Sequence, residues 1–217
     1  MLLYLENEDL GYQGDVVLRN ISLSVSDGER VALVGKSGAG KSTLLSVLQS
    51  RFPDDIALIP QDTGLVRALS LFHNVYMGRL HQNSTLYNLL NLVWPQKSEV
   101  EKIQALTTSL GLEGKLFERT GELSGGQQQR TAVCRAIYQG GSAVLGDEPV
   151  SAVDNRQAIQ ILEALNERFD TIVLAMHDVD LAIRFSDRIV GIQNGKIALD
   201  QPAKDLQRQD LDFLYIE

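Results

Sequence analysis

The chain has 217 residues, of which 44% are hydrophobic and 22% are charged, and its formal net charge is −8. This length favours one domain, and the ordinary composition excludes a disordered, collagen-like or disulfide-stabilised protein. No stretch approaches the roughly 20 consecutive apolar residues of a membrane-spanning helix, and the N-terminus lacks a basic segment followed by an apolar one. We therefore expect a cytoplasmic protein, and its acidic charge disfavours nucleic acid as a ligand.

Short apolar runs of strand type alternate along the chain with longer segments of helical periodicity. The predicted strands span residues 30–34, 56–59, 143–145, 171–175 and 188–192. The predicted helices span residues 41–49, 99–110, 127–138 and 156–169. This pattern predicts an α/β fold with a mainly parallel sheet, and alternating apolar positions in the first thirty residues predict an antiparallel edge.

Between about residues 70 and 122 the strand signal disappears and helix-forming residues dominate. We predict a single domain over residues 1–217, with an α/β core formed by 1–69 and 123–217 and a helical subdomain, 70–122, inserted in it. Cys134 is the single cysteine, which excludes an intrachain disulfide. Because Cys134 lies in an apolar helical pattern, we expect a buried structural thiol with no catalytic part.

A phosphate-binding loop pattern stands between a predicted strand and a predicted helix. It reads Gly35-Lys36-Ser37-Gly38-Ala39-Gly40-Lys41-Ser42, and Thr43 follows it. Glycines let backbone N–H groups converge on phosphate oxygens, and the helix N-terminus adds positive potential. Lys41 can reach the β- and γ-phosphates, and Ser42 can ligate Mg²⁺. The position between strand and helix favours a nucleotide site over a plain glycine-rich turn.

Two adjacent carboxylates end the apolar run at residues 143–145. Asp147 and Glu148 would lie at the C-terminal edge of a parallel sheet, where α/β proteins bind ligands. Asp147 can hold Mg²⁺, and Glu148 can orient or deprotonate the attacking water as a general base. An Asp-Glu pair before Pro149 also fits an ordinary turn, but the phosphate loop upstream favours the catalytic interpretation.

A second anion-binding pattern precedes the helix predicted at 127–138. In Leu123-Ser124-Gly125-Gly126-Gln127, Ser124 is a candidate helix cap, and the two glycines permit close approach of an anion to the helix N-terminus. Followed by Gln128-Gln129-Arg130, this pentapeptide resembles the signature of ABC ATPases, and the resemblance covers nearly the full chain. It implies the ABC-ATPase version of the phosphate-loop NTPase fold, with a reduced N-terminal antiparallel β subdomain and an inserted helical subdomain.

The resemblance also implies roles for isolated residues. Tyr12 resembles the aromatic residue that stacks on adenine, and Gln61 resembles the glutamine at the switch from the strand to the helical subdomain, which implies a place among the metal-binding and catalytic residues. Asp154 resembles the dimer-contact loop residue. His177 resembles the histidine that contacts the γ-phosphate, beside Lys41 and Glu148 in the catalytic set.

Members of this family bind ATP and Mg²⁺ and pair head to tail, so that the phosphate loop of one copy and the Ser-Gly-Gly segment of the other enclose each nucleotide. The resemblance therefore implies a second copy of the chain, membrane permease subunits and an extracytoplasmic solute-binding protein as partners. It implies a location on the inner face of the cell membrane. ATP-driven closure of the dimer would power solute transport.

Residues 62–80 and the segments around His177 and the C-terminus are similar to phosphonate-importer ATPases, although ATPases of amino-acid uptake and lipoprotein release share parts of them. The segment from Thr43 to Gln61 is shorter than is usual in the family. A DNA-repair or chromosome-handling ATPase head is the alternative from another class, and it would be expected to carry a coiled-coil or zinc insertion. A phosphate-loop metabolite kinase would leave residues 123–127 unexplained.

Overall fold

The computed structural model describes residues 3–12, 15–52 and 55–216, and of Tyr12 it describes the backbone only. The strands are β1 (Leu3–Tyr12), β2 (Asp15–Val25), β3 (Arg30–Val34), β4 (Ile56–Ile59), β5 (Ala143–Asp147), β6 (Thr171–Ala175), β7 (Arg188–Gln193) and β8 (Lys196–Pro202). The α-helices are α1 (Lys41–Arg51), α2 (Leu71–Tyr76), α3 (Thr85–Val93), α4 (Lys97–Ser109), α5 (Gly125–Gln139), α6 (Asn155–Arg168) and α7 (Val179–Phe185). Short 3₁₀ turns span Met77–Gln82, Thr120–Glu122, Ala203–Asp205 and Arg208–Tyr215.

Six strands form the central sheet in the order β4-β5-β6-β3-β7-β8. The first five are parallel, and β8 runs antiparallel to β7 at the edge. β1 and β2 form a separate antiparallel pair, which is joined to the β7–β8 turn by a 2.8 Å hydrogen bond from Arg19 N to Gly195 O. The predicted α/β fold class with a mainly parallel sheet is thereby confirmed.

Both faces of the sheet are buried along its five parallel strands, whereas the edge strand β8 is largely exposed. Leu33, Leu145 and Val173 belong to a cluster on one face, which continues into α1, β1 and β2. Val144 and Leu174 belong to a cluster on the other face, which continues into α2, α5 and α6. Burial on both faces explains why the parallel strands read in the sequence as continuous apolar runs. The carboxyl ends of β3 and β5 are thus held by a rigid scaffold.

The individually predicted helices and strands are present, and their bounds differ from the prediction by no more than two residues. α7 and β8 were not predicted individually, because α7 has only seven residues and β8 is an edge strand that ends at Pro202. β4 begins at Ile56, shortly after α1 ends at Arg51. Among its described residues, the segment noted as short in the sequence therefore contains α1 and β4 and no further helix or strand.

Helices α2, α3 and α4 occupy the stretch between β4 and β5. Ser70 caps α2 through its side chain, which accepts a hydrogen bond from His73 N, and Ser84 caps α3 in the same way from Tyr87 N. An isolated antiparallel bridge pairs Ser70 with Arg119, so the two ends of the helical stretch lie next to each other. Across the described ranges, the longest and most apolar helices still fall short of what crossing a membrane requires.

Candidate functional site

The loop between β3 and α1 has backbone conformations that only glycine adopts easily. Gly35 has φ +142°, and a Cβ atom there would lie 2.2 Å from Ile192 O. Gly40 has φ +112° and precedes the first residue of α1, with Leu18 Cδ2 2.4 Å from the position of an added Cβ. Both sites therefore exclude a side chain. The loop reaches the N-terminus of α1 in a compact turn, the arrangement that binds phosphate groups.

Lys41 is the first residue of α1, and its side chain folds back over this loop. It is only 5% exposed, and Nζ donates hydrogen bonds to Gly35 O at 2.7 Å and to Lys36 O at 3.2 Å. Burial lowers the pKa of the Lys41 ammonium, while the charges of Glu148 and Asp147 oppose that shift. A cation is thus held between the loop and the two carboxylates.

A pocket of about 180 Å³ joins the loop to the ends of two other strands. Its lining residues are Val17, Ser37, Gly38, Gly40, Lys41, Ser42, Thr43, Gln61 and Glu148. Gln61 enters from the turn after β4, and Glu148 enters from the end of β5. A neighbouring pocket of about 350 Å³ is lined in part by Lys36, Ser37, Gly38 and Ala39. Predicted site residues that are far apart in sequence therefore meet at one edge of the sheet.

Asp147 is the last residue of β5 and is 9% exposed. Its Oδ1 atom is buried and has no hydrogen-bond partner within the described part of the chain. A buried carboxylate oxygen without a partner is costly, and oxygen ligands of this kind are the ones Mg²⁺ uses. The environment of Asp147 beside Lys41 therefore fits a divalent cation.

Glu148 directly follows β5 in the left-handed region, with φ +55°. Its N–H donates to Ala175 O at 3.0 Å, and its Oε1 lies 2.5 Å from Nε2 of His177, which follows β6. The Glu148 side chain is 14% exposed and that of His177 is 43% exposed. A non-glycine residue in this conformation needs support from its surroundings, and such residues cluster at functional sites. The Glu148 carboxylate thus faces both the pocket and His177.

The segment from Ser124 to Gln127 forms the N-terminus of α5 and does not line the phosphate-loop pocket. Ser124 Oγ accepts a hydrogen bond from Gln127 N at 3.4 Å, and Gln127 Oε1 accepts one from Ser124 N at 2.9 Å. This reciprocal capping box confirms the expected helix cap. An added Cβ at Gly125 would meet no atom within 4 Å, whereas one at Gly126 would lie 2.8 Å from Ala152 O.

Two further predicted site residues are Asp154 and Tyr12. Asp154 is the N-cap of α6, where its Oδ1 accepts a hydrogen bond from Gln157 N at 2.9 Å. The side chain of Tyr12 lies outside the described residues. Val17 and Gln129 were not predicted: Val17 lines the pocket, and Gln129 is hydrogen-bonded to the backbone of Glu148. In the sequence Gln129 appeared only within the run Gln128-Gln129-Arg130 that follows the signature pentapeptide, and no role was predicted for it.

Comparison with known proteins identifies the family of the chain. The sequence profile described as ABC transporter matches residues 18–151, which include the phosphate loop, the Ser124 segment and the carboxylate pair. The chain is 39% identical to the phosphonates import ATP-binding protein PhnC 1 of Pseudomonas syringae pv. tomato, over 99% of this chain and 92% of that protein. It is 35% identical to the PhnC protein of Lactobacillus delbrueckii subsp. bulgaricus, over 93% of this chain and 90% of that protein.

Solved structures of ATP-binding cassettes share the fold. A dimeric cassette in a post-hydrolysis state with ADP and Pi has a TM-score of 0.77 at 24% identity, covering 93% of this chain and 98% of that one. The cbiO1 subunit from Clostridium perfringens has a TM-score of 0.74 at 20% identity, covering 97% of this chain and 92% of that one. The chain belongs to the ABC transporter family and is one of its ATP-binding, ATP-hydrolysing subunits.

Proposed function

We propose that the chain powers the import of a phosphonate or a related small anion. Its support is the 35–39% identity, over most of the chain, to proteins named as phosphonate import subunits. The competing assignments are ABC motors for amino-acid uptake and for lipoprotein release. The absence of a coiled-coil or zinc insertion in the sequence argues against a DNA-repair or chromosome-handling head.

In this proposal the loop from Gly35 to Thr43 binds the ATP phosphates, with Lys41 compensating their charge, and Tyr12 stacks on the adenine. Ser42, Gln61 and Asp147 would hold Mg²⁺, and a metal ion bound there would supply positive charge to offset that of the phosphates. The observation that carries the proposal is the orphaned, buried Oδ1 of Asp147 beside the phosphate-loop pocket.

Glu148 acts as the general base for the attacking water. Its carboxylate borders the pocket and lies within hydrogen-bond distance of His177, so the imidazole can orient it. The contact of His177 with the γ-phosphate is proposed from the family resemblance. Gln61 lines the same pocket and is placed to hold the water. Phosphoryl transfer requires mainly positioning and charge stabilisation, which Lys41, Gln61, Glu148 and His177 supply together.

The segment from Ser124 to Gln127 serves the ATP of a second copy in a head-to-tail dimer. It forms a capped helix N-terminus away from the phosphate-loop pocket of its own chain, as a composite site between two copies requires. Asp154, at the start of α6, contacts the partner copy near the same interface. Binding of ATP closes the dimer, and hydrolysis removes the γ-phosphate contacts that hold it closed.

The permease subunits dock on the helical stretch between β4 and β5. A groove of about 330 Å³ lies there, lined almost entirely by apolar atoms of residues that include Tyr76, Leu80 and Leu89. Leu71 and Phe72, which lie on α2, are fully buried and fill the core instead of lining the groove. Arg79 donates to the Tyr138 carbonyl and lies over the Tyr138 ring, so a charge reversal there would disturb the fold as well as docking.

This assembly places the chain on the cytoplasmic face of the cell membrane, held by the permease, with an extracytoplasmic solute-binding protein completing the complex. Purification of the complex tests the solute class. We expect its binding protein to bind a phosphonate more tightly than an amino acid, and vesicles containing the complex to take up that phosphonate only with Mg²⁺ and ATP. A binding protein that ignores phosphonates and retains another solute would contradict the proposed solute class.

A further inference from the structure

Gln129 lies in the second turn of α5, and both ends of its amide bind the loop that follows Glu148. Nε2 donates to Glu148 O at 2.7 Å and to Ser151 Oγ at 3.2 Å, and Oε1 accepts from Ala152 N at 2.8 Å. The residue is only 5% exposed. Both donors and the acceptor of a buried amide are thus used on one short segment of chain.

The backbone of Glu148 depends on such contacts. Its conformation, with φ +55°, is unfavourable for a residue with a side chain and persists only where neighbouring groups fix it. The Glu148 carbonyl also accepts hydrogen bonds from Ser151 N at 3.2 Å and from Ser151 Oγ at 3.1 Å. Among the bonds to this carbonyl, the bond from Gln129 is the shortest, and it comes from a different element of the fold.

A second contact joins the same helix face to the same loop. Gly126 lies three residues before Gln129, so the two share one face of α5. A Cβ atom at Gly126 would lie 2.8 Å from Ala152 O and 3.3 Å from Val153 Cγ1. The helix therefore packs directly on residues 152–153, and Gln129 adds directional bonds to this packing.

We infer that Gln129 is a positioning residue for ATP hydrolysis: it holds the backbone of Glu148 so that the carboxylate faces the phosphate-loop pocket. This inference rests on the proposed role of Glu148 as general base. Because Ser124 is the N-cap of α5, the amide also connects the segment proposed to meet the nucleotide of the partner copy with the carboxylate proposed to act on the chain's own nucleotide.

Two substitutions separate the donor and acceptor roles of the amide. Gln129→Glu keeps the shape and the acceptor for Ala152 N but removes the donor to Glu148 O, and Gln129→Met removes both. We expect kcat to fall by at least about tenfold in each variant, equivalent to about 1.4 kcal/mol in the barrier, because Glu148 is no longer held in place. The KM for ATP should stay within about twofold, since the groups that bind ATP are untouched.

Gln139→Met is the matched control. It removes a glutamine–carbonyl bond, from Gln139 Nε2 to Ile56 O at 3.2 Å, at the other end of the same helix. We expect it to lower the melting temperature without changing kcat. If the control loses as much kcat as the Gln129 variants, the Gln129 effect is explained by destabilisation of the helix, and the inference is overturned. Full activity of Gln129→Glu would also overturn it.

Hydrogen exchange of peptides covering residues 148–154 provides a readout that does not need hydrolysis. Exchange there should be at least about tenfold faster in Gln129→Glu than in wild type or in Gln139→Met, since less stable local structure opens more often. If wild type itself shows no ATPase activity, the proposed function fails, and exchange alone decides the inference. Unchanged exchange in both Gln129 variants would then overturn it.

Discussion

Asp147 and Glu148 are adjacent in sequence, but the chain gives their carboxylates different environments. Asp147 is still part of β5, and its Oδ1 is buried without a partner among the described residues. Glu148 leaves the strand in a left-handed conformation and turns its carboxylate toward His177 and the pocket. The change of backbone direction between them separates the proposed cation ligand, Asp147, from the proposed general base, Glu148.

Asp147→Asn tests the proposed cation site. The amide keeps the size of the side chain but removes the negative charge, so we expect the Mg²⁺ concentration for half-maximal ATPase activity to rise at least about tenfold. Titration of Mg²⁺ into the protein with a fluorescent ATP analogue gives the same comparison without turnover. Binding of the analogue in the absence of Mg²⁺ should be retained, and an unchanged Mg²⁺ dependence would refute the assignment.

Cys134 should be inert in the native protein. The side chain is fully buried, and burial raises the pKa of the thiol to about 12. Only the thiolate reacts with disulfide reagents, so a thiol-reactive chromophore at pH 8 should label no cysteine before unfolding and one cysteine per chain in denaturant. Rapid labelling of the folded protein would show that the α5 core opens far more readily than its packing indicates.

At the scale of elements, a buried polar cluster joins α4 to α5. Glu99 is 7% exposed; its carboxylate accepts hydrogen bonds from the Tyr138 hydroxyl and, at 3.1 Å, from Lys102 Nζ. Burial raises the pKa of Glu99, but the hydrogen bonds from Tyr138 and Lys102 outweigh it, and the net pKa is lowered. The ionised form of Glu99 therefore stabilises the packing of these two helices.

The pH dependence of unfolding tests this cluster. A carboxyl with a lowered pKa in the folded state contributes stability above its ordinary value of 4.5, and that contribution is lost as the pH falls through the folded-state value. The melting temperature of Glu99→Gln should be lower than that of wild type at pH 7, and this difference in melting temperature should narrow as the pH drops below 4.5. Glu101→Gln, at an exposed position of α4, should follow wild type throughout. A difference in melting temperature that stays constant with pH would contradict the stabilising role of ionised Glu99.

The sequence predicted elements more readily than the contacts between them. The parallel strands were evident because burial on both faces leaves continuous apolar runs, and the phosphate loop was evident because its glycines are required by its backbone. The run around Leu71 and Phe72 is apolar whether it fills the core or lines a groove, so only the packing assigns it to the core. The bonds of Gln129 to Glu148 and Ala152 likewise depend on long-range packing that no local pattern records.

At the scale of the whole molecule, α3 presents an apolar surface to solvent. Leu86, Leu89, Val93 and Trp94 are 58–79% exposed. Apolar patches of this kind mark interaction surfaces. On another side of α3, Asn88 accepts a hydrogen bond from the Tyr76 hydroxyl at 2.9 Å. The helix is therefore anchored on one side and free to meet the permease on the other.

Leu89→Glu tests docking on this surface. A charge in the apolar groove should disfavour contact with the permease, so we expect transport by the assembled complex to fall at least about tenfold while the ATPase activity of the isolated subunit is kept. Tyr4→Glu is the control, because Tyr4 is similarly exposed but lies on β1. Normal transport by Leu89→Glu, or equal losses in both variants, would contradict the docking site.

The most direct test of the account compares wild type with Glu148→Gln in Mg²⁺-dependent ATPase assays, with light scattering to follow ATP-induced dimerisation. We expect the variant to lose at least about a hundredfold in kcat, since its amide cannot act as a base, and to accumulate as an ATP-bound dimer. Glu163→Gln, at an exposed position on α6, is the matched control and should behave as wild type. A Glu148→Gln variant that hydrolyses ATP as fast as wild type, or that stays monomeric with ATP, would contradict the composite site built around Glu148.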